Sequence, residues 1–131
     1  MDLLYNLGIN DLELKGILEL VPEILDMSEI EISNKIDILK YIECNDRHIK
    51  NILVSNPYYL DRFDNDILKL IGYLKNIGVS NLNLLFDSNP YLLNRDDFEI
   101  RDYIENRVKN GDSLDNIICD IEDNPYIIDI D

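Results

Sequence analysis

The sequence reads NPYYL at residues 56–60, NPYLL at 89–93 and NPYII at 124–128, and a weaker copy, VPEIL, occupies residues 21–25. The four prolines of these segments, Pro22, Pro57, Pro90 and Pro125, are spaced 35, 33 and 35 residues apart. A sequence that returns at a period of about 20–50 residues indicates a stack of structural repeats. The chain therefore divides into four repeats, each built around one proline.

Hydrophobic residues keep a constant distance from these prolines. Ile stands at the tenth and at the fourteenth position after each of the first three prolines, and a spacing of four places both side chains on one helix face. Leu, Ile or Phe stands at the eighth and at the fourth position before every proline. These registers predict two helices in a repeat: helix A at roughly 31–43, 66–76 and 98–109, and helix B at roughly 11–20, 46–55, 80–88 and 113–122.

Residues that favour turns separate the predicted helices. Gly8, Gly78 and Gly111 stand before three of the four B helices. A proline keeps the preceding residue out of the α region, so it ends helix B, and it fits the first position of a new helical turn. The asparagines before the prolines are expected to cap that turn through their side-chain oxygens; they are Asn56, Asn89 and Asn124.

Three tyrosines follow the prolines directly: Tyr58, Tyr91 and Tyr126. We expect them to pack in the core or between repeats, with their hydroxyls reaching water or a neighbouring carbonyl. The alternative is a ladder of rings on which nucleic-acid bases stack.

The fold class predicted by this pattern is all-α, a single α-solenoid domain over residues 1–131 with a concave and a convex side. No stretch with the period of a β-strand rivals the helical pattern. We expect the first repeat to keep only helix B and the last repeat to end just past Pro125, so that both act as caps.

The repeat resembles that of the mitochondrial transcription termination factor (mTERF) family. The resemblance is clearest in Ile77-Gly78-Val79-Ser80, followed by Leu85-Phe86-Asp87-Ser88-Asn89-Pro90-Tyr91-Leu92-Leu93, and it extends over roughly residues 5–128. It implies a curved superhelix whose basic concave groove holds nucleic acid, with no catalytic residue.

The charge of this chain departs from that expectation. Its 131 residues include 27 Asp and Glu against 12 Lys and Arg, for a net charge of −15. Residues 1–31 and residues 112–131 each carry a net charge of −7, whereas residues 32–95 carry +1. Because nucleic-acid binding draws much of its affinity from Lys and Arg that neutralise phosphates, this balance opposes direct binding to nucleic acid.

We therefore expect a non-enzymatic protein-interaction module that binds a protein with a basic, nucleic-acid-binding surface. Carboxylates on a curved helical surface would imitate phosphates and block that surface, as inhibitors of the phage or anti-defence type do, anti-CRISPR proteins among them. The candidate contacts form three acidic groups: Asp26, Glu29 and Glu31; Asp96, Asp97 and Glu99; and Asp120, Glu122 and Asp123.

Two alternatives remain open at this stage. The first is an mTERF-like nucleic-acid-binding protein that acts in transcription through its central repeats, with a basic cluster of Arg47, His48, Lys50 and Arg62 as the phosphate site. The second is a structural adaptor in which exposed hydrophobic residues matter and charge does not. A solvated surface that serves only solubility also accounts for the acidic residues.

The sequence offers no chemistry for catalysis. His48 is its single histidine, and it contains no glycine-rich phosphate loop, HExxH or GxSxG motif. Cys44 and Cys119 lie far apart in the sequence and outside any metal-ligand pattern, so we expect buried free thiols, no metal and no cofactor.

Composition and the first residues suggest the setting of the protein. An abundance of Ile, Asn and Tyr is typical of AT-rich coding, as in a low-GC bacterium or its phage. The start of the sequence lacks the basic region of a signal peptide, so we expect a cytoplasmic, intracellular protein.

Overall fold

The computed structural model describes residues 2–126, and within that range every regular element is a helix. Helix B of each of the first three repeats runs into a short 3₁₀ helix that begins at proline, here called a proline turn. The elements in chain order are α1 (Asp2–Asn6), α2 (Asp11–Leu20), the first proline turn (Pro22–Asp26), α3 (Glu29–Tyr41), α4 (Asp46–Ser55), the second proline turn (Pro57–Asp61), α5 (Asp64–Asn76), α6 (Leu82–Ser88), the third proline turn (Pro90–Asn94), α7 (Asp97–Lys109) and α8 (Leu114–Asp123).

These elements stack as an α-solenoid, which confirms the predicted fold class. The A helices contact one another in the order α1, α3, α5, α7, and the B helices in the order α2, α4, α6. Each later proline turn rests against the proline turn and helix B of the repeat before it. The solenoid is therefore held together by contacts between neighbouring repeats.

The predicted hydrophobic registers form the core. The isoleucines at the tenth and fourteenth positions after the prolines are all buried, as are the residues at the eighth position before them and three of the four at the fourth position before them. The exception is Leu18, which is partly buried against the core in the first repeat. Local periodicity therefore suffices to find the core, because each helix buries the same face against its neighbours.

The helix caps lie at a different register from the one expected. Asn10 and Asn45 each stand at the twelfth position before a proline. Each accepts the backbone N–H of the third helical residue, Glu13 or His48, over 2.8 and 2.9 Å. In return, the Glu13 carboxylate and the His48 ring nitrogen Nδ1 accept the backbone N–H of the capping asparagine, over 3.0 and 3.2 Å. Both form capping boxes that satisfy the free N–H groups of a helix start.

The prediction that Asn56 and Asn89 cap the proline turns is wrong. Neither side chain makes a capping bond to its own turn. Both are fully buried, and each side-chain amide donates to the carbonyl of the next repeat's proline: Asn56 to Pro90 over 2.9 Å and Asn89 to Pro125 over 3.0 Å. A buried amide requires such a partner, and the carbonyl of the neighbouring repeat lies within reach. The turn that Asn124 was expected to cap extends outside the described residues.

The first repeat has more structure than the sequence indicates. A short helix A, α1, precedes α2 and contacts α3, so the expectation that this repeat keeps only helix B is also wrong. Five residues give too little periodicity to detect such a helix.

The four turns before the B helices adopt a left-handed backbone. Gly8, Gly78 and Gly111 have φ of 93°, 104° and 100°, and Glu43 stands at the matching place in the second repeat with φ of 69°. For a residue with a Cβ atom this conformation costs about 1–2 kcal/mol, so Glu43 holds a strained position that glycine fills elsewhere.

Candidate functional site

Most basic side chains of this protein are engaged by other groups of the chain. Among the described residues, seven of the 12 lysines and arginines contact a carboxylate or stand over a tyrosine ring: Lys35, Lys50, Arg62, Lys75, Arg95, Arg101 and Arg107. The Lys75 ammonium lies 4.1 Å from the centre of the Tyr41 ring in the preceding A helix. Five of the 12 are left without such a contact in the described part of the chain.

The second acidic group lies within a cluster of ion pairs. Asp96 binds Arg62 over 3.1 Å, Asp97 binds Arg101 over 3.4 Å and Glu99 binds Arg95 over 3.1 Å. Three carboxylates meet three guanidinium groups, so the cluster is neutral. Asp96 and Arg62 belong to adjacent repeats, which gives this pair a structural role between them. That this group contacts a partner stays a prediction, and its free negative charge is smaller than the sequence suggests.

The first acidic group has no ion pairs of the kind found in the second. Asp26, Glu29 and Glu31 are all exposed, and Glu31 accepts a bond from the Ser28 hydroxyl over 3.2 Å at the start of α3. No described lysine or arginine pairs with these three carboxylates. They surround the first proline turn and face solvent.

The third acidic group lies in the last turn of α8. Asp120 is bound by Arg107 over 2.7 Å, whereas Glu122 and Asp123 are exposed and have no ion pair among the described residues. Carboxylates in the last turn of a helix oppose its macrodipole, and no base is present in that turn. Net negative charge is thus concentrated in the repeats at the two ends of the solenoid, because the acidic residues of the middle repeats are balanced by lysine and arginine.

The predicted basic cluster is not assembled into one site. Arg47 and Lys50 line a shallow groove together with Glu13 and Asp87, and Lys50 pairs with Glu13 over 3.5 Å. Arg62 lines a different groove, next to Lys35 and Asp64.

The remaining member of that cluster, His48, has a structural role at the start of α4. Its Nδ1 atom accepts the Asn45 backbone N–H in the capping box described above. Of the four predicted residues, only Arg47 is exposed with no partner among the described residues. One free guanidinium is a weak basis for a phosphate site.

The tyrosines that follow the prolines are about half exposed, so the prediction that they pack in the core is wrong, whereas packing between repeats stays a prediction. Tyr58, Tyr91 and Tyr126 are 47%, 52% and 49% exposed. The residue after each of the first two, Tyr59 or Leu92, is the one that is fully buried. In the tight helical turn that begins at proline, the side chain two positions after proline faces the core. The ring ladder therefore remains as the alternative for these three residues.

The perturbed ionisable groups are structural. Burial raises the pKa of the Cys44 thiol to about 12. Burial also raises the pKa of Tyr59, whose hydroxyl donates to the Lys35 carbonyl over 2.6 Å. Hydrogen bonds to Asp112 and Asp120 raise the pKa of Arg107. None of these groups has a companion in a cleft with which to catalyse a reaction.

The structure adds two findings about possible ligands and membranes. Within residues 2–126, no group of three or more His, Cys, Asp or Glu side chains is arranged to hold a metal ion. None of the helices in that range is long and apolar enough to cross a membrane.

A surface that sequence reasoning missed lies at the start of the solenoid. A groove of about 360 Å³ runs between α1, the first proline turn and the start of α3, and Leu25 at its edge is 67% exposed. The sequence does not indicate this groove, because Leu25 stands at the same position after its proline as Leu60 and Leu93, which are buried. Leu25 is exposed because nothing within residues 2–126 packs over the first repeat.

The stacked helices define a helical-repeat protein. A comparison with protein families agrees: the family model mTERF matches residues 1–126. The chain therefore belongs to the mTERF family. No curated protein and no solved structure matches the chain.

Proposed function

We propose that this chain is a non-enzymatic binding module whose target is a protein with a cationic, nucleic-acid-handling surface. The observation that carries the proposal is the distribution of net charge, −7 in residues 1–31 and −7 in residues 112–131 against +1 in residues 32–95. Exposed carboxylates without a base stand at both ends, whereas six of the 12 lysines and arginines are in ion pairs with carboxylates of the chain. A surface of this kind attracts cations over a distance and associates quickly.

In its most specific form the proposal is that the chain mimics nucleic acid and inhibits its target, as an anti-defence protein of a phage does. Glu122 and Asp123 support this form, because they stand at the end of α8, where carboxylates weaken the helix by about 0.3–1 kcal/mol each. A contribution to binding would offset that loss.

Charge reversal at the end of α8 tests the proposal. The probe is a purified basic DNA-binding domain, and the readout is displacement of labelled duplex DNA from it. We expect the wild-type chain to displace the DNA and the double variant Glu122→Lys/Asp123→Lys to do so at least about 10-fold less well. Lysines at a helix C-terminus favour the macrodipole, so the variant should fold.

A matched control distinguishes the effect of the position of the reversed charges from the effect of the change in net charge. Asp102→Lys/Glu105→Lys changes the net charge by the same amount at exposed positions in the middle of α7. We expect this variant to retain most of the wild-type effect. Equal losses in both variants would show that only total charge matters, and no displacement by the wild-type chain would refute the proposal.

The second candidate function is direct nucleic-acid binding in transcription. Family membership favours it, and so do the three exposed tyrosines at one position of successive repeats, on which bases can stack. The test is fluorescence anisotropy of labelled single-stranded and duplex DNA and RNA at about 50 mM salt, where electrostatic binding is strong. Binding that Tyr91→Ala and Arg47→Ala weaken would establish this function in place of the first.

A further inference from the structure

The first repeat has a much shorter helix A than the other three. Helices α3, α5 and α7 contain 13 residues each, whereas α1 contains five, Asp2–Asn6. At 1.5 Å per residue, α1 is roughly 12 Å shorter than its counterparts. Asn6 precedes Tyr41, the last residue of α3, by one full repeat, so α1 matches the C-terminal end of α3. On the side of the first repeat, no described helix A lies beside the first two turns of α3.

The groove between α1, the first proline turn and the start of α3 lies at this uncovered part of α3. Its apolar lining comes from the start of α1 (Leu3, Leu4), from the first proline turn (Leu25) and from the region that enters α3 (Met27, Ile32). The groove thus lies where the remaining turns of a 13-residue helix A would pack if the first repeat had one.

Leu25 shows that this surface is one that the other repeats cover. Its counterparts Leu60 and Leu93 are completely buried, because the second and third proline turns rest against helix B and the proline turn of the preceding repeat. Leu25 has no such neighbour within residues 2–126 and is 67% exposed. An apolar side chain that is exposed here but covered by a neighbouring repeat elsewhere marks a surface on which another helix can pack.

The charge around the groove selects its occupant. Asp2 and Glu29 line it, and Glu23, Asp26 and Glu31 are exposed on the adjoining elements. Lys15 is the only base among residues 1–31, whose net charge is −7. Either end of a second copy of this chain carries a net charge of −7 and would be repelled here, and so would nucleic acid.

We propose that this groove binds an amphipathic basic helix of a partner protein, with the apolar face against Leu25 and Met27 and Lys or Arg side chains directed at the surrounding carboxylates. The inference rests on the proposed function, since it specifies which element of a cationic partner is bound. Recognition would follow the helix-in-groove mode, with anchors at i, i+3, i+4 and i+7 of the bound helix.

Two synthetic peptides test the proposal on the full chain. Both contain about 14 residues of Leu and Lys in the same proportion; one has Leu at helical spacing and the other alternates Leu with Lys. Binding of each labelled peptide is measured by fluorescence anisotropy at about 150 mM salt. We expect the helical peptide to bind at least about 10-fold more tightly, because only it presents a continuous apolar face.

Matched variants locate the binding site. Leu25→Ser removes an apolar contact in the groove and is expected to weaken the helical peptide about 10-fold. Leu12→Ser is the control, because Leu12 is 78% exposed, belongs to the same repeat and does not line the groove. We expect it to bind the helical peptide as the wild-type chain does. Both positions are exposed, so both variants should fold, and circular dichroism checks this.

The outcomes separate this inference from the proposed function. Equal affinity for the two peptides, or an unchanged affinity in Leu25→Ser, would overturn the groove as a helix site. If the Glu122→Lys/Asp123→Lys variant then bound both peptides more weakly than the wild-type chain, the cationic-partner proposal would survive without the groove. Failure of the wild-type chain to bind either peptide and to displace DNA would refute both.

Discussion

The interface between repeats 1 and 2 and the interface between repeats 2 and 3 are built from different interactions, although the helices stack in the same way. Across the second interface, Asn56 donates to the Pro90 carbonyl and exchanges side-chain hydrogen bonds with Asn94. Arg62 binds the Asn94 carbonyl and the Asp96 carboxylate, and Lys35 pairs with Asp64.

The first interface has apolar residues at the matching positions. Val21 stands where Asn56 stands in the next repeat, and Met27 stands where Arg62 does. Among the described residues, one ion pair crosses this interface, between Lys50 and Glu13 over 3.5 Å.

The same stacking therefore needs only apolar burial, and the polar contacts add a further requirement. Burial of hydrophobic surface is non-directional, whereas a buried amide must meet a partner at hydrogen-bond distance. The second interface therefore fixes the relative position of its repeats more tightly than the first. It also uses the positive charge that a nucleic-acid-binding surface would need.

The largest expected effect follows from Asn56→Ala. The substitution leaves the Pro90 carbonyl and the Asn94 side chain with fewer partners in a buried place, so we expect a loss of about 2 kcal/mol in the free energy of unfolding. Urea denaturation measures it. Asn34→Ala, at an exposed position inside α3, is the control and should be neutral or slightly stabilising. Equal stability of the two variants would mean that the asparagine contact adds nothing to the second interface.

A smaller effect is expected from Arg62→Met, which makes the second interface resemble the first. Loss of the contacts to Asn94 and Asp96 should lower the free energy of unfolding by about 1 kcal/mol, because Asp96 is partly exposed and the ion pair is screened. High salt should reduce the difference from the wild-type chain. Arg47→Met, at an exposed position, should change the stability by less than about 0.5 kcal/mol.

Glu43→Gly should act in the opposite direction. Glycine accepts the left-handed backbone that Glu43 holds at φ of 69°, so we expect a gain of about 0.5–1 kcal/mol in the free energy of unfolding. Glu105→Gly, at an exposed position inside α7, should lower the stability by about 1 kcal/mol through helix propensity. A loss of stability in Glu43→Gly would show that its side chain makes a contribution larger than the backbone strain.

The smallest effect on stability is expected from alkylation of the thiols near pH 8. Cys119 is exposed and should react without unfolding the chain, whereas Cys44 is buried with its pKa raised to about 12. At that pH roughly one Cys44 thiol in ten thousand is ionised, so mass spectrometry should find a single modified cysteine, Cys119. Because the folded pKa of Cys44 lies above its ordinary value of 9.0, this group should destabilise the fold only as the pH rises from about 9 toward 12. Rapid modification of both thiols would show that the second repeat opens easily.

Sequence periodicity alone predicts the number of repeats, the fold class and the core positions that recur in each repeat. Helical periodicity and proline spacing are properties of short segments, and every repeat buries the same face, so Ile67, Ile71 and Leu53 could be placed in the core from their positions alone. The capping boxes at Asn10 and Asn45 could also have been predicted from the sequence. Both asparagines stand at the same position before a proline, and Glu13 or His48, which completes the box, follows three residues later.

Which polar groups contact each other depends on how the repeats pack, and the sequence pattern did not predict it. Asn56 finds its carbonyl 34 residues away, Arg62 takes up Asp96 from the next repeat, and Tyr58 faces solvent while Tyr59 is buried. The same is true of Leu25, which is exposed because the first repeat has no described neighbour on that side. Hydrophobic burial tolerates small rotations between repeats, whereas a hydrogen bond or an ion pair depends on differences of an ångström in the placement of two helices, and a periodic pattern does not specify them.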